Sequence, residues 1–388
     1  QESPWQTAYR ETGQYLLSQP APTTGSIGGE WAVIGLRRAG LLTDEMARSY
    51  KAAAEDYVRQ AGSPRLHRAK STDTSRTILG LTAAGYDATA VAGIDLTAGL
   101  SDMSYLRIQG LNGPIWALIA LDCGGYAIPQ AAEGEEQTTR EGLVSEILSA
   151  QCPDGGWTLL GEASDVDMTA MALTSLSPYL ENRDVQAAVE RALTCLSRVQ
   201  QDNGGFMSWG TVNSESCAQV IVALTSLGID PAADSRFIKN GNTVVDALMS
   251  FYDEKVGGFR HVNESTSDGY DATVNQMSTE QAYYALAQLY KTVPTKATLS
   301  KAAKAGSGKI KASWKKAAVN TDYVTKKSGK TATVSGYQIV CATDKKFSKN
   351  VKRVTVSGSK TLTKTVTNLK KGKTYYVKVR AYKTVNGK

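Results

Sequence analysis

The sequence predicts an all-α (α/α)6 toroid, a closed ring of six helical hairpins, followed by a small all-β sandwich. Three observations predict this fold. A turn of two glycines and an aromatic residue recurs within the first 290 residues, and apolar helical segments alternate with amphipathic ones around it. After Tyr290 the composition changes to Lys-rich segments with strand-like alternation. A chain of 388 residues is long enough for two or three domains.

The recurring turn has the pattern Gln-x-x-x-Gly-Gly-aromatic at 151–157 and 200–206, and a looser form at 253–259. In each copy a mostly apolar helical pattern follows the turn. A unit of two helical segments that returns after about 40–60 residues is typical of paired-helix repeats. The internal repeat therefore predicts the fold of the first three quarters of the chain.

Six apolar helices align on a small residue followed by Leu. The aligned small residues are Gly35, Gly80, Ala120, Ala172, Ala223 and Ala285. The helices span 31–40, 76–85, 116–121, 168–176, 219–228 and 281–289, and the amphipathic segments before them span 5–17, 44–60, 91–106, 139–150, 184–199 and 242–252. Apolar helices covered on most sides lie inside, and their amphipathic partners face water. Closing the ring removes the apolar ends that an open solenoid must cap.

The remaining sequence predicts a linker and a β-sandwich. Residues 293–308 are rich in Lys, Ala, Ser, Thr, Pro and Gly, which favours a linker. Short alternating segments follow at 309–314, 335–341, 352–357, 361–366 and 374–382. The predicted domains are 1–292, 293–308 and 309–388. The last domain ends where its final strand is expected to begin, so we expect that strand to be missing.

Charge divides the chain in the same place. After Tyr290 there are 25 Lys or Arg against Asp322 and Asp344, a balance of +23, and before it 44 − 25 = 19 basic residues face 37 − 2 = 35 acidic ones, a balance of −16. The basic part suits an anionic cell wall, although a solvated surface is the plainer explanation. Its lysines are spread over strands, and we expect no nucleic-acid partner. No apolar run approaches the roughly 20 residues of a membrane span.

Cysteine and histidine content argues against a metal site. Five cysteines show no paired spacing and the chain has two histidines, so we expect no disulfide framework, no zinc site and no cofactor. The sequence begins at Gln1 without a signal-like segment, which is compatible with a mature secreted form or a trimmed chain. We expect a secreted or cell-surface protein.

The two Gln-x-x-x-Gly-Gly-aromatic turns resemble the QW repeat of squalene–hopene cyclases, within the terpenoid cyclase and protein prenyltransferase toroid family. That resemblance implies the toroid fold and leaves the activity open, because this fold hosts several functions. Trp314 and the segment 369–375 resemble the core Trp and tyrosine corner of a fibronectin type III domain, with Tyr375 as the corner residue. A toroid followed by such a domain is similar to modular surface proteins of Gram-positive bacteria.

The starts of the inner helices are expected to ring one mouth of the central cavity. The carboxylates there are Glu30, Asp73, Asp165, Asp167, Glu215 and Glu280, and the expected ligand-binding residues are Trp31, Arg76, Trp116, Gln219 and Gln281, together with Asp73 and Glu215. Aromatic faces and fixed polar groups suit a polar or amphiphilic ligand. The plainer alternative for each acidic residue is a helix cap.

Two catalytic hypotheses use these carboxylates. Residues 164–170 are similar to the Asp-x-Asp-Asp motif of class II terpene cyclases, which implies that Asp167 protonates an alkene beside Asp165, although Met168 breaks the motif and five Phe are few for such a cavity. Alternatively, Glu30 and Glu280 form the carboxylate pair of a glycoside hydrolase, because their hairpins become neighbours when the ring closes.

The preferred function is a binding module without turnover, with an unidentified small molecule or glycan as ligand. The zinc ligands of the prenyltransferases have no match, since Asp122 and Cys123 are adjacent and neither His falls on an inner helix. A short similarity to cobalamin carriers at 167–173 also implies ligand capture. The β-domain then acts as a basic spacer or wall-associated module.

Overall fold

The computed structural model describes the chain except residues 1–2, 266, 268, 270, 293–296, 318–333 and 384–388. The described residues form two compact units, one up to Tyr290 and one from Lys291 onward. The first unit is helical and the second is built from strands. The predicted missing strand at the chain end lies outside the described residues.

Twelve α-helices lie in the described part of the chain. They are α1 Pro4–Ser18, α2 Glu30–Arg38, α3 Asp44–Ala61, α4 Ser71–Ala83, α5 Met103–Arg107, α6 Asn112–Cys123, α7 Arg140–Ser149, α8 Val166–Leu176, α9 Arg183–Val199, α10 Ser214–Ser226, α11 Val244–Met249 and α12 Gln276–Thr292. The even-numbered helices correspond to the apolar segments of the repeat and the odd-numbered ones to the amphipathic segments.

Burial separates the two sets as the alternation predicts. In α10, 12 of 13 residues are buried, whereas in α3 only Ala47, Tyr50, Ala54 and Val58 of 18 residues are. Those four lie three or four residues apart and therefore share one helix face. The apolar helices are the inner layer, and the amphipathic helices cover them from outside.

The inner helices close into a ring. Successive members pack against each other from α2 through α4, α6 and α8 to α10. Helix α12 completes the circle, because Gln288 donates from Nε2 to the Val222 carbonyl of α10 and accepts from Arg38 of α2 at 2.6 Å. Gly35 of α2 also meets the ring of Tyr283 so closely that a Cβ would lie 2.9 Å from it.

The recurring turn joins adjacent hairpins. The Gln151 amide donates to the Gly155 carbonyl at 2.7 Å and to the Ala188 carbonyl of α9 at 2.8 Å. Gln200 repeats the arrangement with Gly204 and Phe237. Gly155 has φ 99°, a left-handed conformation that favours glycine. The motif therefore fixes one hairpin to the next, which is a structural role.

Two predicted outer helices differ from the structure. Residues 91–106 form a 3-10 helix at Leu96–Leu100 and the short α5 in place of one long helix. Gly93 has φ 79°, and Gly99 approaches the Pro64 carbonyl so closely that a Cβ would lie 2.2 Å from its oxygen. The segment 242–252 shortens to α11, after which the two-residue strands β3 Tyr252–Asp253 and β4 Gly258–Phe259 pair.

The second unit holds two three-stranded sheets, in the orders β5-β6-β9 and β10-β7-β8. Their strands are β5 Leu299–Gly306, β6 Lys309–Trp314, β7 Gly336–Ala342, β8 Lys352–Ser357, β9 Thr363–Val366 and β10 Tyr376–Tyr382. Residues of both sheets share one core, which includes Trp314, Ile339 and Val366. The Tyr375 hydroxyl accepts a hydrogen bond from the Lys370 backbone N–H at 3.0 Å. The fibronectin type III assignment stays a prediction.

Strand β5 lies within the predicted linker, so that part of the prediction is wrong. It pairs antiparallel with β6, while most of its side chains are exposed Lys, Ala, Ser and Gly. The backbone ladder stabilises this strand although its side chains carry no apolar pattern. Such a composition is typical of an edge strand that must avoid pairing with other chains.

All five cysteines are free thiols. None of the described helices combines the length and the hydropathy that a membrane-crossing segment requires. Among the described residues, no group of three or more His, Cys, Asp or Glu is arranged to hold a metal ion.

Candidate functional site

A cavity of about 600 Å³ opens where the inner helices begin. Its walls come from all six inner helices and from loops that precede them. The lining residues are Ser26, Trp31, Thr72, Arg76, Gln109, Asn112, Trp116, Asp167, Met171, Ser208, Trp209, Thr211, Asn213, Glu215, Gln219, His261, Met277 and Gln281. Thirteen of these eighteen side chains are polar or charged, and three of the other five are Trp.

Five of the inner helices contribute residues four positions apart. The pairs are Thr72 and Arg76, Asn112 and Trp116, Asp167 and Met171, Glu215 and Gln219, and Met277 and Gln281. Residues four apart lie on the same helix face. Helix α2 adds Trp31. One face of every inner helix therefore points into the cavity.

Most of the residues predicted to bind a ligand lie in this cavity. Six of those seven line it: Trp31, Arg76, Trp116, Glu215, Gln219 and Gln281, and so does Asp167, which was predicted as a catalytic residue. Glu30, Asp73, Asp165 and Glu280 are not among the lining residues. The structure thus brings the aromatic, amide and basic positions together and separates the carboxylates into two groups.

The separation follows from a corrected register for α8. Thr169 accepts a hydrogen bond from the Trp157 backbone N–H as Thr279 does from Phe259, which places Thr169 opposite Thr279 in the repeat. The residue of α8 that aligns with Gly35 is therefore Ser175, three residues after the predicted Ala172. With the corrected register, Asp167 is equivalent to Glu215 and not to Glu30 or Glu280.

Asp167 is a partly buried carboxyl of the cavity. It accepts a hydrogen bond from the Ser216 hydroxyl of α10 at 2.7 Å and another from Ser208. Burial raises the pKa of Asp167 above its ordinary value, the two serines oppose part of the rise, and the charges of Asp165 and Glu215 add to it. A carboxyl in this setting is suited to hold and donate a proton.

Glu215 occupies the equivalent position on α10 and orients a histidine. Its Oε1 accepts from the Ser278 hydroxyl of α12, which repeats the contact between Ser216 and Asp167. Its Oε2 lies 2.5 Å from His261 Nδ1. When Nδ1–H donates to the carboxylate, Nε2 is the proton-accepting nitrogen of the neutral ring. A histidine held by a carboxylate is the usual arrangement of a general base.

Glu30 faces away from the cavity. It is fully buried and accepts from the Gly25 backbone N–H at 2.9 Å, from the Tyr50 hydroxyl at 3.1 Å and from Arg76 Nε at 3.3 Å. Burial raises the pKa of Glu30, while the nearby Arg76 charge opposes that rise. The carboxylate is thus a structural hub for the loop that precedes α2.

Glu280 anchors the same loop. It is fully buried and accepts from the Gly28 backbone N–H at 2.9 Å and from Gln276 Nε2 at 2.6 Å. Burial raises the pKa of Glu280 to about 7. Because Glu30 and Glu280 both hold residues 25–28 and neither lines the cavity, they do not form the predicted carboxylate pair around a substrate.

Asp165 and Asp73 have local roles. Asp165 is the N-cap of α8 and accepts from the Met168 backbone N–H at 2.7 Å, as Asn213 does at the start of α10. Asp73 accepts from the Tyr57 hydroxyl and from Arg76 Nη2. The capping alternative fits Asp165, and Asp73 helps to position Arg76.

The guanidinium of Arg76 is largely compensated. It forms ion pairs of 3.3 Å with both Glu30 and Asp73. Of the described lining residues, Arg76 is the one that carries an ammonium or guanidinium group, whereas Asp167 and Glu215 are acidic. The cavity therefore suits a neutral ligand better than a polyanion.

Aromatic side chains shape two places in the cavity. Trp31 and Trp116 form an edge-to-face pair with centroids 5.4 Å apart, and Trp31 also touches the ring of Tyr284. Trp209 stands at the mouth and is 98% exposed. Sequence reasoning missed Trp209 and His261 because both lie in loops, where helical periodicity gives no signal.

Comparison with known proteins gives three results. No family model matches the chain, and no curated protein matches it. Among solved structures, a type II terpene cyclase from Scytonema is 12% identical with a TM-score of 0.49, over 74% of this chain and 99% of that one. An unsaturated glucuronyl hydrolase from Bacillus sp. GL1 is 16% identical with a TM-score of 0.48, over 73% and 94%. A family 88 glycosyl hydrolase from Bacteroides vulgatus is 9% identical with a TM-score of 0.48, over 74% and 99%.

Proposed function

We propose that the helical unit is a hydrolase of neutral glycans, with Asp167 as general acid and His261, oriented by Glu215, as general base. One observation carries the proposal: a carboxyl with a raised pKa and a carboxylate-held histidine line the same cavity. Two titratable groups held in different environments are typical of paired acid and base roles. The geometry therefore favours an enzyme over the binding module preferred from the sequence.

The reaction is a single displacement at the anomeric carbon. His261 Nε2 takes a proton from a water molecule whose oxygen attacks that carbon. The bond from the carbon to the leaving oxygen breaks, and Asp167 transfers its proton to that oxygen. The products are a hemiacetal and an alcohol, and both protein groups return to their starting states by proton exchange with solvent. A single displacement inverts the anomeric configuration.

The lining supports a glycan as the substrate class. Hydroxyl and amide side chains such as Gln109, Asn112, Gln219 and Gln281 can bond sugar hydroxyls, and the Trp faces suit the apolar faces of pyranose rings. The ion pairs of Arg76 leave little positive charge for a uronate. The terpene-cyclase alternative uses the same acid, but thirteen polar lining residues suit a hydrocarbon poorly.

The test is hydrolysis of soluble neutral glycans, measured as the release of reducing ends. The glycans are xylan, mixed-linkage glucan, galactomannan and N-acetylchitooligosaccharides. We expect turnover of at least one, and Asp167→Asn to lower it by roughly 10²–10⁴-fold while binding persists. Binding of a glycan by the wild type without turnover of any would return the protein to the class of binding modules.

For the second unit we propose a fibronectin type III-like spacer at the cell surface that contacts anionic wall polymers. A groove that includes Lys304, Lys309, Lys370, Lys371 and Lys373 supports this role. The check is sedimentation of the full chain with teichoic-acid-bearing cell walls. Salt-sensitive binding is expected, and equal binding to walls stripped of teichoic acid would refute the charge-based contact.

A further inference from the structure

The hairpin at the cavity mouth carries a tryptophan in an unfavourable conformation. Strands β1 Met207–Ser208 and β2 Thr211–Val212 pair through a two-residue turn, Trp209–Gly210. Both turn residues have positive φ, 53° for Trp209 and 80° for Gly210. Turns of this kind favour Asn at the first position, because left-handed backbone is costly for a bulky residue.

The fold gains little from this side chain. Trp209 is 98% exposed, so its large apolar surface remains in water. A strained backbone beneath an unpacked aromatic ring is a pattern found at ligand-binding positions. The ring is therefore available to a ligand rather than to the core.

The hairpin is fixed to the proposed acid. Ser208 precedes Trp209 and hydrogen bonds to Asp167, and Ser208 and Thr211 both line the cavity. The residue that carries the ring thus directly follows a partner of the proposed acid, whereas the Trp31–Trp116 pair on α2 and α6 is only partly exposed. A sugar on the leaving side of the scissile bond would pass Trp209.

We infer that Trp209 is a stacking platform for the leaving-group sugar, so that the preferred substrate is an oligomer or polymer that extends out of the cavity. This inference rests on the proposed function. It assigns Trp209 as a specificity-determining residue that the hydrolytic chemistry itself does not require. Stacking of an apolar sugar face on an exposed indole removes apolar surface of both partners from water.

The experiment uses the full chain with cellohexaose, xylohexaose and N-acetylchitohexaose, together with the disaccharide fluoride of whichever sugar is cleaved. A glycosyl fluoride has no leaving-group sugar. Trp209→Ala should lower kcat/KM on the hexasaccharide roughly tenfold, equivalent to about 1.4 kcal/mol, and the loss should be confined to substrates with a sugar leaving group. Because the chain has six Trp, the contribution of Trp209 is taken as the difference in fluorescence between the wild type and Trp209→Phe, and the hexasaccharide should reduce acrylamide quenching of that difference.

Two matched variants control for folding and for general surface effects. Trp209→Asn keeps the turn with the residue that suits it and should behave like the Ala variant, while Trp209→Phe should restore most of the activity. Leu160→Ala removes another exposed apolar side chain, outside the cavity lining, and should change nothing. If kcat/KM of Trp209→Ala falls equally on the fluoride and the hexasaccharide, or falls on neither, Trp209 is not a stacking platform for the leaving-group sugar. If galactomannan is the glycan that is cleaved, mannohexaose takes the place of these hexasaccharides. If the wild type cleaves none of the neutral glycans named above, the proposed function itself fails and the assignment of Trp209 with it.

Discussion

Two pairs of carboxylates at the starts of inner helices differ in location and role. Glu30 and Glu280 are fully buried and hold the loop 25–28, whereas Asp167 and Glu215 line the cavity. The difference is one of helical phase. Glu30 directly precedes the lining residue Trp31, and one residue turns a helix by about 100°. Asp167 and Glu215 precede lining residues by four positions and share their face.

The comparison shows that residue type and position near a helix start do not suffice to assign a role. The first pair accepts hydrogen bonds from backbone N–H groups of the loop 25–28, which is a requirement of folding. The second pair is held by serines of the next helix, Ser216 and Ser278, and lines the cavity, where we propose that Asp167 transfers a proton and Glu215 orients His261. The two pairs should therefore respond in opposite ways to substitution.

The largest stability effect is expected at the buried pair. Glu30→Ala leaves the Tyr50 hydroxyl and the Gly25 N–H without their acceptor and removes a partner of Arg76, so we expect the free energy of unfolding to fall by about 3–5 kcal/mol. Asp167→Ala should change the free energy of unfolding by about 1 kcal/mol or less, because burial already disfavours the charged form of the Asp167 carboxyl. Urea unfolding of both variants measures the contrast. Equal losses would erase the distinction between the pairs.

A second effect concerns the pH dependence of stability. The pKa of Glu280 rises from 4.5 to about 7 on folding, so the folded chain binds more protons between these pH values. The contribution of Glu280 is complete below pH 4.5 and is lost as the pH rises through about 7, on the order of 3 kcal/mol in total. Glu280→Gln should remove this part of the decline, measured as the difference between the two unfolding curves from pH 4 to 8. Parallel curves would contradict the burial of an ionisable group there.

The smallest effect sharpens the role of the serines. Ser216→Ala removes a hydrogen bond that lowers the pKa of Asp167, so the pKa should rise further. Activity that needs the protonated acid falls as pH rises, and this falling limb of kcat/KM should move to higher pH by about 0.7 unit, equivalent to about 1 kcal/mol. Ser278→Ala is the control and should leave the falling limb in place, because the Ser278 hydroxyl bonds Glu215 and not Asp167. If the falling limb stays in place in Ser216→Ala, the protonation of Asp167 does not cause that limb.

The sequence predicted the cavity face well where helical periodicity was clear. Trp31, Arg76, Trp116, Gln219 and Gln281 all line the cavity because five helices kept one register. The sixth was misaligned because α8 contains small residues at several positions, including Ala170 and Ala172, and the true equivalent of Gly35 is a serine. Side-chain hydrogen bonds to the preceding turn, which only coordinates give, set the register.

The remaining errors lie in loops. No periodic signal shows that the loop before α2 folds back onto Glu30 and Glu280, because a loop with glycine at 25, 28 and 29 has many conformations. His261 reaches Glu215 from a loop 46 residues away. Its rarity, one of two histidines in 388 residues, was the only signal available.

We infer that Asp167 takes part in the reaction and that Glu280 does not, although the sequence assigns them to the same position. The most direct measurement is kcat/KM of Asp167→Asn and Glu280→Gln on the neutral glycan that the wild type hydrolyses fastest, with both variants shown to be folded. We expect a fall of roughly 10²–10⁴-fold for Asp167→Asn and near wild-type turnover for Glu280→Gln. Full activity in Asp167→Asn, or a comparable loss in Glu280→Gln, would refute the assignment of Asp167 as the general acid.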